Sequence, residues 1–187
     1  MTDIWFTADF HLGHRNIIRY CNRPFQNVAE MDSVILDRLN SAVKERDILY
    51  FLGDFCIGGT KQSGHYLNQV RCKRIYFVNG NHDKTLRKFQ ERFVWFKDLA
   101  EVNVHQQRIV LCHYAMRTWN QSSRGSWHLY AHSHGRLHED PAMLAMDVGV
   151  DTHDFRPWHF DDIHAHMQER RSAIAPKHGN SAQIDEP

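Results

Sequence analysis

An α/β or α+β layered domain is what this sequence predicts, on two observations. Short apolar runs rich in Ile, Val, Phe and Tyr recur along the chain, and longer stretches with helical spacing lie between them. The runs Ile4–Ala8, Ile48–Leu52, Ile75–Val78, Ile109–Cys112, Leu129–Ala131 and Met146–Val150 read as buried strands, bounded mostly by polar or glycine positions. Val28–Val43 carries Met31, Val34, Ile35, Leu39, Ala42 and Val43 on one stripe, so it reads as a helix. Lys84–Phe93 and Asp161–Arg171 read as two more, with Asp83 a candidate N-cap of the first. The expected domain covers residues 1–171. Ser172–Pro187 is polar with two prolines and reads as a flexible tail.

The 187 residues suit one domain with a sizeable core. A formal net charge of +1 gives no strong pull toward nucleic acid or a membrane surface. Nucleic acid stays open as a substrate, but charge does not indicate it. No apolar run approaches the roughly 20 residues of a spanning helix. Met1–Asp9 lacks the basic and apolar regions of a signal peptide. Four cysteines with no C-x-x-C spacing fit reduced thiols in a cytoplasmic protein. The compositional outlier is histidine, with 15 residues. Imidazole is the commonest metal ligand, so the count prompts a search for a site.

That search succeeds at the ends of the strands. Ile4–Ala8 runs into Asp9-Phe10-His11, and Ile48–Leu52 into Gly53-Asp54. Ile75–Val78 runs into Asn79-Gly80-Asn81-His82-Asp83. Ile109–Cys112 ends at His113, and Leu129–Ala131 leads to His132-Ser133-His134. Five strands thus deliver Asp, Asn or His at their carboxyl ends, where ligands bind in α/β sheets. Taken singly, each residue has a plain reading: His113 as a core residue, Asp9 or Asp54 as a strand-ending turn. The ordered set points to a metal site. Imidazole, carboxylate and amide ligands without thiolate suit Mn, Fe, Co, Ni or Zn. Two such ions bring four positive charges and the two carboxylates remove two, which leaves charge for an anionic phosphate. Metal coordination lowers the pKa of water toward about 7, and a metal pair clamps both oxygens of an in-line displacement.

Asp9-x-His11, Gly53-Asp54, Gly80-Asn81-His82-Asp83, His113 and His132-x-His134 resemble the ordered signature of the calcineurin-like metallophosphoesterase superfamily. Asp9-Phe10-His11-Leu12-Gly13-His14 and Arg23-Pro24-Phe25 resemble a group of small bacterial and phage members. The resemblance implies a layered β-sandwich of mixed sheets flanked by helices. It implies a dinuclear, metal-dependent phosphoric ester hydrolase with two divalent ions, manganese favoured. Asp9, His11 and His134 would bind one ion, and Asn81, His113 and His132 the other. Asp54 would bridge them. His82 would face the substrate and protonate the leaving oxygen.

Two departures from the pattern matter. Where the protein phosphatase branch reads Gly-Asp-x-x-Asp-Arg-Gly, this chain reads Gly53-Asp54-Phe55-Cys56-Ile57-Gly58-Gly59. It therefore lacks that branch's phosphate-binding Arg, and a protein Ser/Thr phosphatase is not expected. Ala131 replaces a common glycine before the final His-x-His, which requires a negative φ there.

Several roles stay open. Asp83 is either a helix cap or a partner of His82. His14, one turn from His11, either touches substrate phosphate or is a surface residue. Tyr114–Trp127, with Arg117, Trp119 and Arg124, is either a substrate-contact loop or an ordinary one. Gly58–Gly64 is a candidate mobile rim, and Gly149-Val150-Asp151 reads as structural, part of a closing strand. The leading function is hydrolysis of a phosphodiester or phosphomonoester by metal-activated hydroxide. The alternatives are a pyrophosphatase of a nucleotide derivative and a nucleic-acid-processing nuclease or accessory protein. An inactive metal-binding scaffold is set against these by His82, a non-ligand histidine that such a scaffold would not need.

Overall fold

The computed structural model describes residues 2–174, so most of the expected tail lies outside the described residues. Two sheets carry the fold. In the first, β1 (Ile4–Thr7), β2 (Ile48–Phe51), β3 (Arg74–Val78) and β4 (Trp95–Lys97) run parallel in the order β4-β3-β2-β1. A short antiparallel strand, Trp158–His159, closes its other edge beside β1. In the second, β5 (Leu99–Val104) pairs antiparallel with β6 (Gln107–Cys112). There β6, β7 (Trp127–Tyr130) and β8 (Ala145–Asp147) run parallel.

The pleat explains the layering, because successive side chains point to opposite faces. On β2, Leu49 and Phe51 enter one core, and Tyr50, with Leu52 directly after the strand, enters the other. The first core packs against helix α2 (Val28–Ala42) through Met31, Ile35, Leu36 and Leu39. Helix α3 (Thr60–Gln69) adds Tyr66 and Leu67. The second core lies between the sheets. Phe6, Tyr50 and Val78 meet Ile109, Leu111, Trp127 and Leu129 there, and α4 (Phe160–Ile174) adds Phe160, Ile163 and Met167. The central strands are therefore apolar on both faces, which is why they read as continuous apolar runs. This is the mixed-sheet sandwich flanked by helices that the signature implied.

Several elements differ from expectation. Asp83–Arg92 forms 3-10 turns with a break at Phe89 and not a regular α-helix. Thr60–Gly64, expected as part of a mobile rim, is the first half of α3. Gly64 is tolerated there because Phe89 packs where a side chain would stand: a Cβ would meet its ring at 3.2 Å. The strand expected over Met146–Val150 stops at Asp147, and Val150–Thr152 is a short 3-10 turn. Ser172–Ile174, assigned to the tail, continues α4. A six-residue helix, α1 (Arg15–Tyr20), was not expected. Among the described residues no helix is long and apolar enough to cross a membrane.

Candidate metal centre

Parallel pairing sets the site. Because β1, β2 and β3 are parallel neighbours, the loops after them lie side by side, and the same holds for β6 and β7. Backbone bonds then tie loop to loop. Asp9 N–H donates to Gly53 O (3.0 Å) and His11 N–H to Asp54 O (2.9 Å). Ala131 N–H donates to His113 O (3.0 Å). Across the two sheets, His132 N–H donates to Asp9 Oδ2 at 2.9 Å.

The backbone at these loops is unusual. Asp9 (φ 59°), His11 (51°), Asp54 (58°), His132 (69°) and His134 (51°) all adopt left-handed conformations. Non-glycine residues rarely do so, and such strain concentrates at functional sites. Ala131 has a negative φ, as its side chain requires. Gly53 and Gly80 are needed for a different reason. A Cβ on Gly53 would meet Gly80 N at 2.6 Å, and one on Gly80 would meet Asp54 N at 2.6 Å. The Gly-Asp and Gly-Asn-His-Asp motifs are thus in van der Waals contact through their glycines.

The side chains form two clusters that could each hold a divalent ion. Ligand atoms of Asp9, His11 and His134 lie within 4.8 Å of one another, and so do those of Asp54, His113 and His132. Asn81 joins the second, its Oδ1 lying 3.1 Å from His113 Nε2. Asp54 Oδ2 sits 3.4 Å from His11 Nε2 and 3.4 Å from His113 Nε2, between the clusters. The fit to cations is also visible in what the protein leaves unsatisfied. Asp9 Oδ1 and both His11 ring nitrogens are buried with no hydrogen-bond partner. Such groups are expensive unless something else binds them. Two imidazoles are oriented as ligands should be. His113 Nδ1–H donates to Leu52 O (2.7 Å) and His134 Nδ1–H to Asp151 Oδ2 (2.7 Å), which turns each Nε2 inward. His82 also lies within ligand distance of His11 and Asp54, so its position fits either a substrate-facing group or a further ligand.

Electrostatics reflect this crowding. Burial pushes Asp9 up to about 7, despite the nearby His134 and His113. Burial likewise pushes His11 down to about 2. For Asp54 burial acts upward, but the hydrogen bond and charge of His113 and the charge of His11 outweigh it and hold the group at about 2. For His134 burial acts downward, but the hydrogen bond to Asp151 outweighs it and raises the group to about 10. Cations that bind here would compete with protons at Asp9 and His134, so their binding should release protons and tighten as pH rises.

Of the supporting residues, Arg23 and Asp32 were assigned no role from sequence, and Asp83 and Asp151 have roles other than those expected. Arg23 is 4% exposed and forks onto Asp151, with Nε–Oδ1 and Nη2–Oδ2 both at 2.8 Å. It also donates to the carbonyls of Asp9 (2.7 Å) and Phe10 (2.9 Å). Arg23 and Asp151 therefore hold both His134 and the Asp9 loop, and Asp151 is more than part of a closing strand. Asp32 accepts from Gly13 N–H (3.0 Å) and from the Tyr66 hydroxyl (2.6 Å), which anchors the His11–His14 loop. Asp83 is neither a side-chain cap nor a partner of the His82 ring. Its carboxylate accepts from the N–H groups of Asp54 (2.7 Å), Phe55 (3.0 Å) and Gly80 (2.8 Å), so it welds two ligand loops together.

Two expectations follow. Asp83→Ala leaves three buried N–H groups unpaired and should cost about 3 kcal/mol or more of stability, read as a lower urea midpoint with unchanged slope. Arg23→Lys keeps the charge but loses the fork. It should weaken manganese binding at the Asp9–His11–His134 cluster by about 10–100-fold in a metal titration.

His14 and Arg117 lie differently with respect to this centre. The His14 ring is 5.5 Å from that of His11 and 6.2 Å from that of His82, at the edge of the cluster. Arg117 is exposed and lines a groove with Trp119, Arg124 and Arg171, in which none of the expected metal ligands takes part.

Comparison with known proteins agrees with this geometry. The profile of the calcineurin-like phosphoesterase family matches residues 2–162. The uncharacterized protein MJ1445 of Methanocaldococcus jannaschii is 31% identical over 169 residues, which span 87% of this chain and 90% of that protein. The Gene 66 protein of Mycobacterium phage L5 is 34% identical over 85 residues, spanning 44% of this chain and 41% of that one. In fold, the chain is similar to the Aquifex aeolicus protein of unknown function AQ665, with a TM-score of 0.69 at 24% identity, covering 88% and 99% of the two chains. With the two Asp/His clusters in place, the chain belongs to the calcineurin-like phosphoesterase family and carries a metal-binding motif that fits this family's activity.

Proposed function

We propose that the protein hydrolyses phosphodiesters with two divalent metal ions, manganese favoured. The observation that carries this reading is Asp54 Oδ2, equally near to His11 Nε2 of one cluster and His113 Nε2 of the other. Asp9, His11 and His134 would hold one ion, Asn81, His113 and His132 the other, and Asp54 would contact both. When bound, such ions polarise phosphoryl oxygens and make a water-derived nucleophile available at neutral pH.

The chain's own groups supply the rest. His82 N–H donates to Asp54 Oδ1 at 2.9 Å, which pins the backbone of the histidine beside the centre. Its exposed imidazole is then the group to protonate the leaving oxygen. His14 flanks it on the same side. The preference for diesters rests on Gly58, which stands where a phosphate-clamping Arg would serve a monoester dianion.

Protein loaded with manganese should hold two ions per chain by elemental analysis. It should also cleave bis-p-nitrophenyl phosphate faster than p-nitrophenyl phosphate. A stoichiometry that stays at one would remove the shared role of Asp54. A strong monoester preference would reverse the substrate ranking.

A further inference from the structure

Two exposed tyrosines stand at opposite ends of the metal cluster. Tyr20, the last residue of α1, is 54% exposed, and its ring lies 6.2 Å from that of His14. Tyr114, directly after His113, is 47% exposed, and its ring lies 4.8 Å from that of His132. A row of rings joins them to the centre. His14 neighbours His11 at 5.5 Å on one side, and His132 neighbours His113 at 5.1 Å on the other. Asp54 lies midway along the row, between His11 and His113.

Grooves lined by arginine lie along the chain segments that carry these tyrosines. On the α1 side, Arg15 and Arg19 line a groove of about 750 Å³ together with Asn16, Asn22 and Asn27. The loop that begins with Tyr114 passes a recess where Glu139 and Asp140 lie beside Arg117, and leads to a groove of about 700 Å³ lined by Arg117, Trp119, Arg124 and Arg171. The Arg124 end of that groove lies at the start of β6, where Gln107 Nε2 donates to Gly125 O (3.0 Å). No Asp or Glu lines either groove among the described residues. The near-neutral net charge of the chain conceals this local arrangement. The second groove is also built in advance. His128 Nε2 accepts from Met116 N–H (3.1 Å), Trp119 Nε1–H donates to Ser126 O (3.1 Å), and Asn120 Nδ2 donates to Glu101 (2.9 Å).

An aromatic ring on each side of a phosphoesterase centre, with Arg19 over the ring of Tyr20 and Arg117 three residues after Tyr114, has a matching ligand. Single-stranded nucleic acid offers base faces for stacking and phosphates for the flanking arginines, while a duplex keeps its base faces covered. We propose that the substrate is a single-stranded nucleic acid laid across the centre, with the bases flanking the scissile phosphate stacked on Tyr20 and Tyr114. The proposal rests on the phosphodiesterase reading above and names its substrate class.

Binding tests it separately from turnover. The probes are a fluorescein-labelled strand of six thymidylates and the same strand with abasic sugars, at equal charge. Both are titrated by anisotropy into manganese-loaded His82→Ala protein, in which cleavage is slow. The base-bearing strand should bind roughly ten-fold more tightly than the abasic one. Tyr20→Ala and Tyr114→Ala, each in that background, should narrow this preference by roughly five-fold or more while leaving the abasic strand unaffected. The corresponding Tyr→Phe variants should keep it. Replacing Arg15 and Arg117 by Gln should weaken both strands alike and flatten the salt dependence. A strand of six uridylates tells RNA from DNA within the same chemistry. Equal affinity for base-bearing and abasic strands overturns the proposal, and so does a Tyr→Ala loss of equal size on both. If the parent protein fails to cleave bis-p-nitrophenyl phosphate, the phosphodiesterase reading falls, and the binding result still decides the stacking.

Discussion

Asp54→Ala should empty both metal clusters together and lower turnover by roughly 10³-fold or more, because it removes the several kcal/mol that a metal pair gives the transition state. The reason lies in one oxygen. Asp54 Oδ2 is 3.4 Å from a ligand nitrogen of each cluster, while the other oxygen is held by His82 N–H. Among the described residues Asp54 is the one carboxylate paired with a histidine of each cluster. His11→Ala removes a ligand from one cluster only and should mainly weaken that one. Titrating manganese into both variants and counting ions separates the cases. A mild loss of equal size in both variants would falsify the bridging role. A substitution to Asn keeps the volume beside Gly80 and serves as the control for local collapse.

His82→Ala should keep both metals and lose roughly 10²–10⁴-fold in turnover, the usual contribution of a positioned general acid. The loss should be smallest for p-nitrophenolate, a leaving group that needs little protonation, and largest for an alkyl alkoxide. Two esters that differ only in leaving-group pKa give the comparison, once equal metal content has been shown. A loss independent of leaving group assigns His82 to holding the phosphate. Loss of an ion assigns it as a ligand, the alternative its nearness to His11 and Asp54 permits.

Legibility in the sequence followed the range of the interactions. The strands bearing the expected ligands were readable because burial on both faces makes them continuous apolar runs, each ending at Asp, Asn or His. Residues that hold those ligands were not readable, since their partners are remote. Arg23 and Asp151 are 128 positions apart, and nothing local to either announces the pair. Asp83 looked like a cap because it precedes a helical stretch, yet its carboxylate turns back to loops 28 and 29 residues away. Among the elements, α1 was too short to show a period, and β4 has only three residues. Helix α3 was hidden by Gly64 and by a sequence in which only Ser63, Tyr66 and Leu67 are buried.

The left-handed backbone at Asp9, His11, Asp54, His132 and His134 has a bearing on how this chain evolves. Each such residue costs about 1–3 kcal/mol relative to a relaxed conformation, and glycine would relieve most of that. Selection for folding alone would therefore drive these five positions toward glycine, and if they serve the proposed metal centre, selection for chemistry would hold them against it. A lineage released from its catalytic duty should lose its ligands here first, gaining stability as it does so. In this fold, glycine at several of the five positions would be the mark of a descendant that has given up catalysis.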